Sequence, residues 1–195
     1  TGMSGYQETL TDPSYHQQVV IMTAPHIGNT GMNRDDEESR KIWVSGFVVR
    51  EPSPIVSNWR SENSLEEELK KAGVVGVAEV DTRAITRHLR ESGAMRVGLF
   101  SGKDAEKSDA ELVELVRNAP EMKGANLTDA VSTQEVYVIP AVGEKLFTVA
   151  AVDLGIKSMT PHLMAQRGIE VHVVPGNVSS DELLKIGTDG IFFSN

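Results

Sequence analysis

The chain of 195 residues carries 28 Asp and Glu residues against 19 Lys and Arg, and it contains no cysteine. The excess of acid argues against a broad nucleic-acid surface, because binding duplex phosphates requires clustered basic side chains. The lack of cysteine excludes disulfides, thiolate metal ligands and a cysteine nucleophile within this sequence. No run approaches the roughly 18 apolar residues of a membrane helix, and the first residues lack the features of a signal peptide, so we expect a cytoplasmic globular protein.

Turn-forming residues dominate the first 40 positions. An apolar run at 19–22 predicts a buried strand, and a run at 42–49 that is rich in β-branched residues predicts another. Before them, Asp12-Pro13-Ser14 predicts a tight turn that presents the Ser14 hydroxyl outward. No histidine or lysine base adjoins Ser14 in the sequence, so the pattern favours an ordinary turn serine over a nucleophile, with a polar ligand contact as the alternative.

Helices and strands alternate irregularly between residues 64 and 139. The first helix is predicted to begin at Ser64, where Glu67 completes a capping box, and to end at Gly73. The other elements predicted in this stretch are a strand at 74–80, a helix from Asp81 or Thr82 to Arg90, a strand at 95–100, a helix at 109–116 and a strand at 131–139.

The pattern changes after a linker at 140–144. Residues 147–152 form a continuous apolar run, which is typical of a strand buried on both faces of a parallel sheet. A helix at 158–166, a strand at 170–174, a helix at 179–186 and a strand at 190–193 follow. This βαβαβ order predicts the beginning of a doubly wound α/β domain.

The charged and metal-ligating residues outside these elements give few specific signals. Arg83, Arg87 and Arg90 share one face of the predicted second helix, where they could bind a carboxylate, a phosphate or an acidic partner, although the spacing alone favours a solvated helix face. The five histidines show no spacing typical of a zinc site, and the acidic run at 35–38 lacks the pattern of a calcium loop. We therefore predict no metal site.

Several longer segments carry a specific resemblance. They are Thr1-Gly2-Met3-Ser4-Gly5-Tyr6-Gln7-Glu8, Leu10-Thr11-Asp12-Pro13-Ser14-Tyr15, Pro25-His26-Ile27-Gly28-Asn29-Thr30-Gly31, Asp36-Glu37-Glu38-Ser39, Ser57-Asn58-Trp59-Arg60, Val80-Asp81-Thr82-Arg83-Ala84-Ile85-Thr86-Arg87, Val152-Asp153-Leu154-Gly155-Ile156-Lys157 and Asp189-Gly190-Ile191-Phe192-Phe193-Ser194-Asn195. On these segments, which run through essentially the whole chain, the sequence resembles the small, glutamine-handling subunit family of carbamoyl-phosphate synthase.

The resemblance implies two domains. Residues 1–143 would form the N-terminal domain of the small subunit, a swivelling β/β/α fold that lacks its first strands and packs on the large synthetase subunit. Residues 144–195 would begin a class I glutamine amidotransferase domain of doubly wound α/β type.

The resemblance also implies an activity. In this family a cysteine, helped by a histidine and a glutamate, attacks the amide of L-glutamine, and the released ammonia passes through a tunnel to the large subunit. There it meets ATP-activated bicarbonate and becomes carbamoyl phosphate for arginine and pyrimidine synthesis. ATP and Mg are expected on the large subunit, with no cofactor in this chain and neither nucleic acid nor a membrane as a partner.

One functional residue is carried over by the resemblance, and no catalytic residue is. Ser14 matches the serine of the family segment that contacts substrate glutamine. The catalytic cysteine, histidine and glutamate would lie beyond Asn195, so we expect a fragment that does not hydrolyse glutamine by itself.

Two other functions are kept as alternatives. The first is a non-catalytic interaction or regulatory module that docks on a synthetase large subunit, for which the face of Arg83, Arg87 and Arg90 is a candidate contact. The second, an unrelated nucleotide-binding α/β protein, would require phosphate-loop glycines that the sequence lacks.

Overall fold

Parallel strands form most of the sheet structure in the computed structural model, which describes residues 3–194. Thr1, Gly2 and Asn195, which belong to the segments quoted above, lie outside the described residues. The fold is mixed α/β, as the sequence predicts. None of the helices within residues 3–194 is long and apolar enough to cross a membrane.

The strands of the described residues are β1 (Val19–Ile21), β2 (His26–Ile27), β3 (Gly46–Val48), β4 (Glu51–Pro52), β5 (Val75–Val77), β6 (Tyr137–Ile139), β7 (Phe147–Asp153), β8 (Ile169–Pro175) and β9 (Gly190–Phe193). The α-helices are α1 (Tyr6–Thr11), α2 (Leu65–Ala72), α3 (Thr82–Ser92), α4 (Asp109–Asn118), α5 (Thr128–Val131), α6 (Met159–Ala165) and α7 (Ser180–Lys185), with short 3₁₀ segments at Pro13–Tyr15 and Gly102–Glu106.

The chain divides into two units. The first contains the chain up to Thr11, residues 17–37 and residues 41–125. The second contains Asp12–His16, Glu38–Arg40 and the chain from Asn126 onward. Two short pieces of the early sequence therefore belong to the later unit. The predicted domain division after residue 143 stays a prediction, and β6, which precedes that point, pairs with β8, which follows it.

The first unit contains a three-stranded parallel sheet in the order β1-β3-β5 and a separate parallel pair of β2 and β4. The central strand β3 is buried throughout, and Phe47 on it is almost fully inaccessible. The helix α2 begins with the predicted capping box of Ser64 and Glu67 and ends at Gly73, whose φ of 67° is left-handed. Leu69 faces the interior from this helix.

Two predicted strands are wrong in whole or in part. Residues 95–100 form no strand, because they pair with no strand among the described residues. Met95 and Val97 are each more than half exposed. The strand predicted at 131–139 is confined to β6, because the chain first makes the short helix α5 and then attaches Thr133 by its backbone N–H to the Asp153 carboxylate.

The second unit contains a four-stranded sheet in the order β6-β8-β7-β9. The strands β7, β8 and β9 are mutually parallel and β6 is antiparallel to β8, so the predicted βαβαβ arrangement is confirmed. Alternate residues of β7 face opposite sides of the sheet. Ala150 and Val152 pack with Leu183 of α7, whereas Ala151 packs on the side that carries Met164 of α6.

This strand order determines where the sheet can hold a ligand. The chain crosses from β7 to β8 on one side and then returns past β7 to β9 on the other. The carboxyl ends of β7 and β9 are therefore neighbours at the point where the strand order reverses, which is a topological switch point. Ligands of open α/β sheets bind in the crevice at such points. In this unit the crevice is bordered by the loop that begins after Asp153.

Candidate functional site

Ser14 lies in the turn that the sequence predicts. Pro13–Tyr15 forms a single 3₁₀ segment, and the Oδ1 atom of Asp12 accepts a hydrogen bond from the backbone N–H of Ser14 at 2.8 Å. The backbone N–H of Tyr15 donates to the Asp12 carbonyl oxygen at 3.1 Å. Asp12 is only 9% exposed, whereas Ser14 is exposed. The turn thus holds its aspartate inward and presents its serine outward, as predicted.

The turn is attached to the loop that follows β7. Nζ of Lys157 lies 3.1 Å from Oδ2 of Asp12 and 3.5 Å from Oε2 of Glu38. A main-chain hydrogen bond reinforces this attachment, because the N–H of Ser158 donates to the carbonyl oxygen of Glu38 at 2.7 Å. All four residues belong to the second unit. The turn that carries Ser14 is therefore joined to the loop that follows β7 at the carboxyl edge of the parallel sheet.

The charges in this cluster stabilise one another. Burial would raise the pKa of the Asp12 carboxyl, but hydrogen bonds from Ser14 and the charge of Lys157 outweigh it and leave this pKa below its ordinary value. Burial would lower the pKa of Lys157, but Asp12 and Glu38 outweigh it and raise this pKa above its ordinary value. Asp12 and Lys157 are consequently an ionised pair at neutral pH, and the lysine lies between the carboxylates of Asp12 and Glu38.

Asp153 organises the adjacent strand ends. Its carboxylate is 4% exposed and accepts three backbone hydrogen bonds, two on Oδ1 from Gly155 at 2.9 Å and Ile156 at 2.7 Å, and one on Oδ2 from Thr133 at 2.7 Å. The bonds to Gly155 and Ile156 fix the first turn of the loop that carries Lys157. In the same region Oγ of Ser194 accepts the N–H of Leu154 at 2.8 Å, which ties the end of β9 to that loop.

A polar cavity of about 300 Å³ lies at the carboxyl end of β8. Its lining comprises Asp129, Ser132, Thr133, Gln134, Pro175 and Asn177. Ser132 is buried there and its Oγ accepts the N–H of Gly176 at 2.8 Å. This cavity is lined with hydroxyl, amide and carboxylate groups, but none of its lining residues belongs to the loop after β7 or to the Ser14 turn, so it is separate from the switch point.

Chemically, this arrangement can bind and orient a ligand. The Ser14 hydroxyl hydrogen-bonds to the Asp12 carboxylate, and its oxygen has two acceptor positions with which a ligand can interact. Lys157 is occupied by two carboxylates, so it serves as a fixed charge that holds the turn in place. Within residues 3–194, no group of three or more His, Asp or Glu side chains is arranged to hold a metal ion.

The predicted arginine face lies elsewhere. Arg83, Arg87 and Arg90 are exposed on α3 in the first unit, and none of them makes an ion pair with the described residues. The structure thus brings no described acidic group to these side chains. Their role stays a prediction.

Residues from two other segments that resemble the family form a hydrogen-bond network with Asn33 in the first unit. The hydroxyl of Tyr6 donates to the carbonyl oxygen of Gly31 at 2.7 Å and accepts a hydrogen bond from Thr30 at 2.9 Å. The Gln7 side chain accepts the N–H of Asn33 at 3.0 Å, and its Nε2 donates to the Asn33 carbonyl oxygen. These residues are mostly buried, so this network holds the fold together.

Sequence reasoning placed Asp12 in the turn that carries Ser14 but missed Glu38 and Lys157 as partners of that turn. Each was present in a segment noted for its resemblance, but no periodic pattern connects residues so far apart in the chain. Only a general rule of α/β sheets could have pointed to this region from the sequence. A charged residue directly after a buried parallel strand lies at the carboxyl edge of the sheet, where ligand sites form.

Comparison with known proteins identifies close relatives. The sequence profile of the carbamoyl-phosphate synthase small chain, CPSase domain, matches residues 1–99. The chain is 65% identical over its whole length to the carbamoyl phosphate synthase small chain of Streptomyces avermitilis, of which it covers 51%. It is 55% identical to the protein of the same name from Bifidobacterium longum strain NCC 2705, of which it also covers 51%.

A third relative of that name, from Mycolicibacterium paratuberculosis, is 55% identical and is covered to 52%. In all three comparisons the whole of this chain is aligned. The chain therefore spans about half the length of the curated relatives that it matches.

Proposed function

Because the chain belongs to the carbamoyl-phosphate synthase small chain family, we propose that the protein delivers ammonia from L-glutamine to a large synthetase chain, which makes carbamoyl phosphate. The large chain would bind ATP and Mg and would feed arginine and pyrimidine synthesis. Residues 1–143 would act as a swivelling β/β/α domain, and residues 144–195 would begin a class I glutamine amidotransferase domain. The whole protein would work in the cytoplasm.

Within this function we assign Ser14 to the glutamine site. The observation that supports the assignment is the location of its turn, which is attached through Asp12 and Lys157 to the loop at the switch point. Glutamine carries an amide, an ammonium and a carboxylate, and a serine hydroxyl can donate to or accept from these groups. Ser14 would bind and orient the substrate.

The bond-breaking step needs a nucleophile that these residues do not contain. Amide transfer from glutamine in this family proceeds through a thiolate, and the chain has no cysteine. We therefore expect the 195 residues by themselves to bind glutamine without hydrolysing it. The catalytic cysteine, histidine and glutamate would come from the remainder of a small chain of the relatives' length.

The test of the assignment is the substitution Ser14→Ala in a small chain of the relatives' length, assembled with its large chain. Loss of one hydrogen bond to the substrate should raise KM for glutamine by about tenfold. Synthesis of carbamoyl phosphate from added ammonia should not change, because ammonia bypasses the glutamine site. Steady-state rates with each nitrogen donor measure both quantities.

A matched control uses a serine in a similar local structure. Ser101 precedes the other 3₁₀ segment, in the first unit, and its side chain makes no capping hydrogen bond. Ser101→Ala should leave both activities unchanged. If Ser14→Ala leaves KM for glutamine within twofold of the parent value, the assignment of Ser14 is wrong.

A further inference from the structure

We propose that Asp12 is a positioning residue for Ser14, held in turn by Lys157, and that this pair controls how well the site binds glutamine. The inference rests on the proposed function. It concerns two side chains that act through Ser14, since nothing in the geometry requires either of them to contact the substrate.

The Asp12 carboxylate connects two elements with its two oxygens. Oδ1 accepts the N–H of Ser14 at 2.8 Å, and Oδ2 lies 3.1 Å from Nζ of Lys157. Asp12 is nearly buried, so its carboxylate has few alternative orientations, whereas the Lys157 side chain that pairs with it is 45% exposed. The position of Ser14 is consequently defined relative to Lys157 through a single rigid group.

Lys157 is itself fixed on the sheet. It follows the turn that the Asp153 carboxylate closes through the N–H groups of Gly155 and Ile156. Its neighbour Ser158 donates a main-chain hydrogen bond to the Glu38 carbonyl oxygen at 2.7 Å. A continuous set of hydrogen bonds and one ion pair thus connects the end of β7 to Lys157, Lys157 to Asp12, and Asp12 to Ser14.

Such a series matters because binding depends on small displacements. A polar group that is about 1 Å out of place loses much of its hydrogen bond to a substrate. Removal of the Lys157 charge leaves the hydrogen bond from the Ser14 N–H to Asp12 in place, but it removes the ion pair that attaches the turn to the loop after β7. Removal of the Asp12 carboxylate breaks both connections. Both changes should therefore weaken glutamine binding without touching the substrate.

The experiment is a double-mutant cycle in a small chain of the relatives' length, assembled with its large chain. Asp12→Ala and Lys157→Met are each made alone and in combination with Ser14→Ala. We expect each single substitution to raise KM for glutamine by about tenfold, with a smaller change in kcat. In the Ser14→Ala background either substitution should raise KM by less than twofold further, because it acts through Ser14.

Two controls distinguish positioning from general stability. Asp81 accepts the N–H of Ala84 at 2.9 Å as the N-cap of α3, so Asp81→Ala removes a comparable bond away from the site. Lys145 pairs with Glu170 at 3.2 Å near the opposite ends of β7 and β8, so Lys145→Met removes a comparable ion pair. Both controls should leave KM for glutamine unchanged. Lys157→Arg should restore most of the affinity that Lys157→Met loses.

The outcomes separate the two proposals. If Ser14→Ala alone has no effect on KM, the assignment of the glutamine site fails. If Ser14→Ala raises KM but Asp12→Ala and Lys157→Met do not, only the positioning role is overturned. It is also overturned if the effects on KM multiply fully in the double variants. Ammonia-dependent synthesis and the melting temperature are recorded for every variant, and Asp12→Asn replaces Asp12→Ala if the latter does not fold.

Discussion

At the scale of single residues, Asp153 illustrates how a buried carboxylate organises the edge of a sheet. We predict that Asp153→Asn lowers the free energy of unfolding of the protein by about 1–3 kcal/mol. The amide oxygen can still accept from Gly155 and Ile156, but the amide NH₂ would face the N–H of Thr133, which now donates to Oδ2 at 2.7 Å. Urea unfolding followed by circular dichroism measures the change.

A neighbouring aspartate provides the control for this prediction. Asp189 accepts the N–H of Thr148 at 2.8 Å, but this bond is exposed to solvent. Asp189→Asn should therefore change the free energy of unfolding by only about 0.5 kcal/mol. An equal loss of unfolding free energy in the two variants would contradict this prediction. It would show that placing a buried amide NH₂ against the N–H of Thr133 costs nothing.

The sequence predicts the behaviour of Ser14 better than that of its partners. The turn follows from Asp12 and Pro13, which act within three residues, so local rules suffice to place the serine outward. Lys157 lies far along the chain, and its approach to Asp12 depends on the sheet that carries it. Local residue preferences hold no information on such a contact.

At the scale of elements, two glycines that follow helices in the second unit make a matched pair. Gly168 follows α6 with φ of 77°, and Gly187 follows α7 with φ of 71°. A Cβ atom at Gly168 would lie 2.8 Å from the carbonyl oxygen of Glu144, whereas at Gly187 it would meet no atom within 4 Å. The two positions share a left-handed backbone and differ in the space around it.

We predict that both substitutions to alanine destabilise the protein, by different amounts. Gly187→Ala should cost about 1–2 kcal/mol for the left-handed conformation alone. Gly168→Ala should cost at least about 1 kcal/mol more, since a backbone oxygen must move to relieve the contact. Urea unfolding of the two variants under the same conditions gives the comparison. An equal loss of unfolding free energy in Gly168→Ala and Gly187→Ala would contradict this prediction, because the contact with the Glu144 carbonyl oxygen would then cost nothing.

The predictions of elements succeeded where a pattern is local and failed where it is not. The capping box at Ser64 and the apolar run of β7 were recognisable from a few consecutive residues. The run at 95–100 has the composition of a strand, but a strand also needs a partner for its backbone groups. Nothing in those six residues tells whether a partner is present.

At the scale of the whole molecule, the order of the second sheet has the largest consequence. The sequence predicts the βαβαβ pattern, and the strand order β6-β8-β7-β9 then places the carboxyl ends of β7 and β9 side by side. The antiparallel edge strand β6 was not expected to join this sheet, because it precedes the predicted linker at 140–144. Ser14 joins the same unit from early in the chain, which no reading of consecutive residues would show.

The central claim is that the protein provides glutamine-derived ammonia to a synthetase large chain. The most direct test assembles a small chain of the relatives' length with a large chain and measures carbamoyl phosphate formed from glutamine and, separately, from ammonia. We predict that glutamine supports synthesis only when both chains are present, and that ammonia supports it with the large chain alone. A stable complex that makes carbamoyl phosphate from ammonia but never from glutamine would contradict the claim and would identify the protein as a non-catalytic docking module.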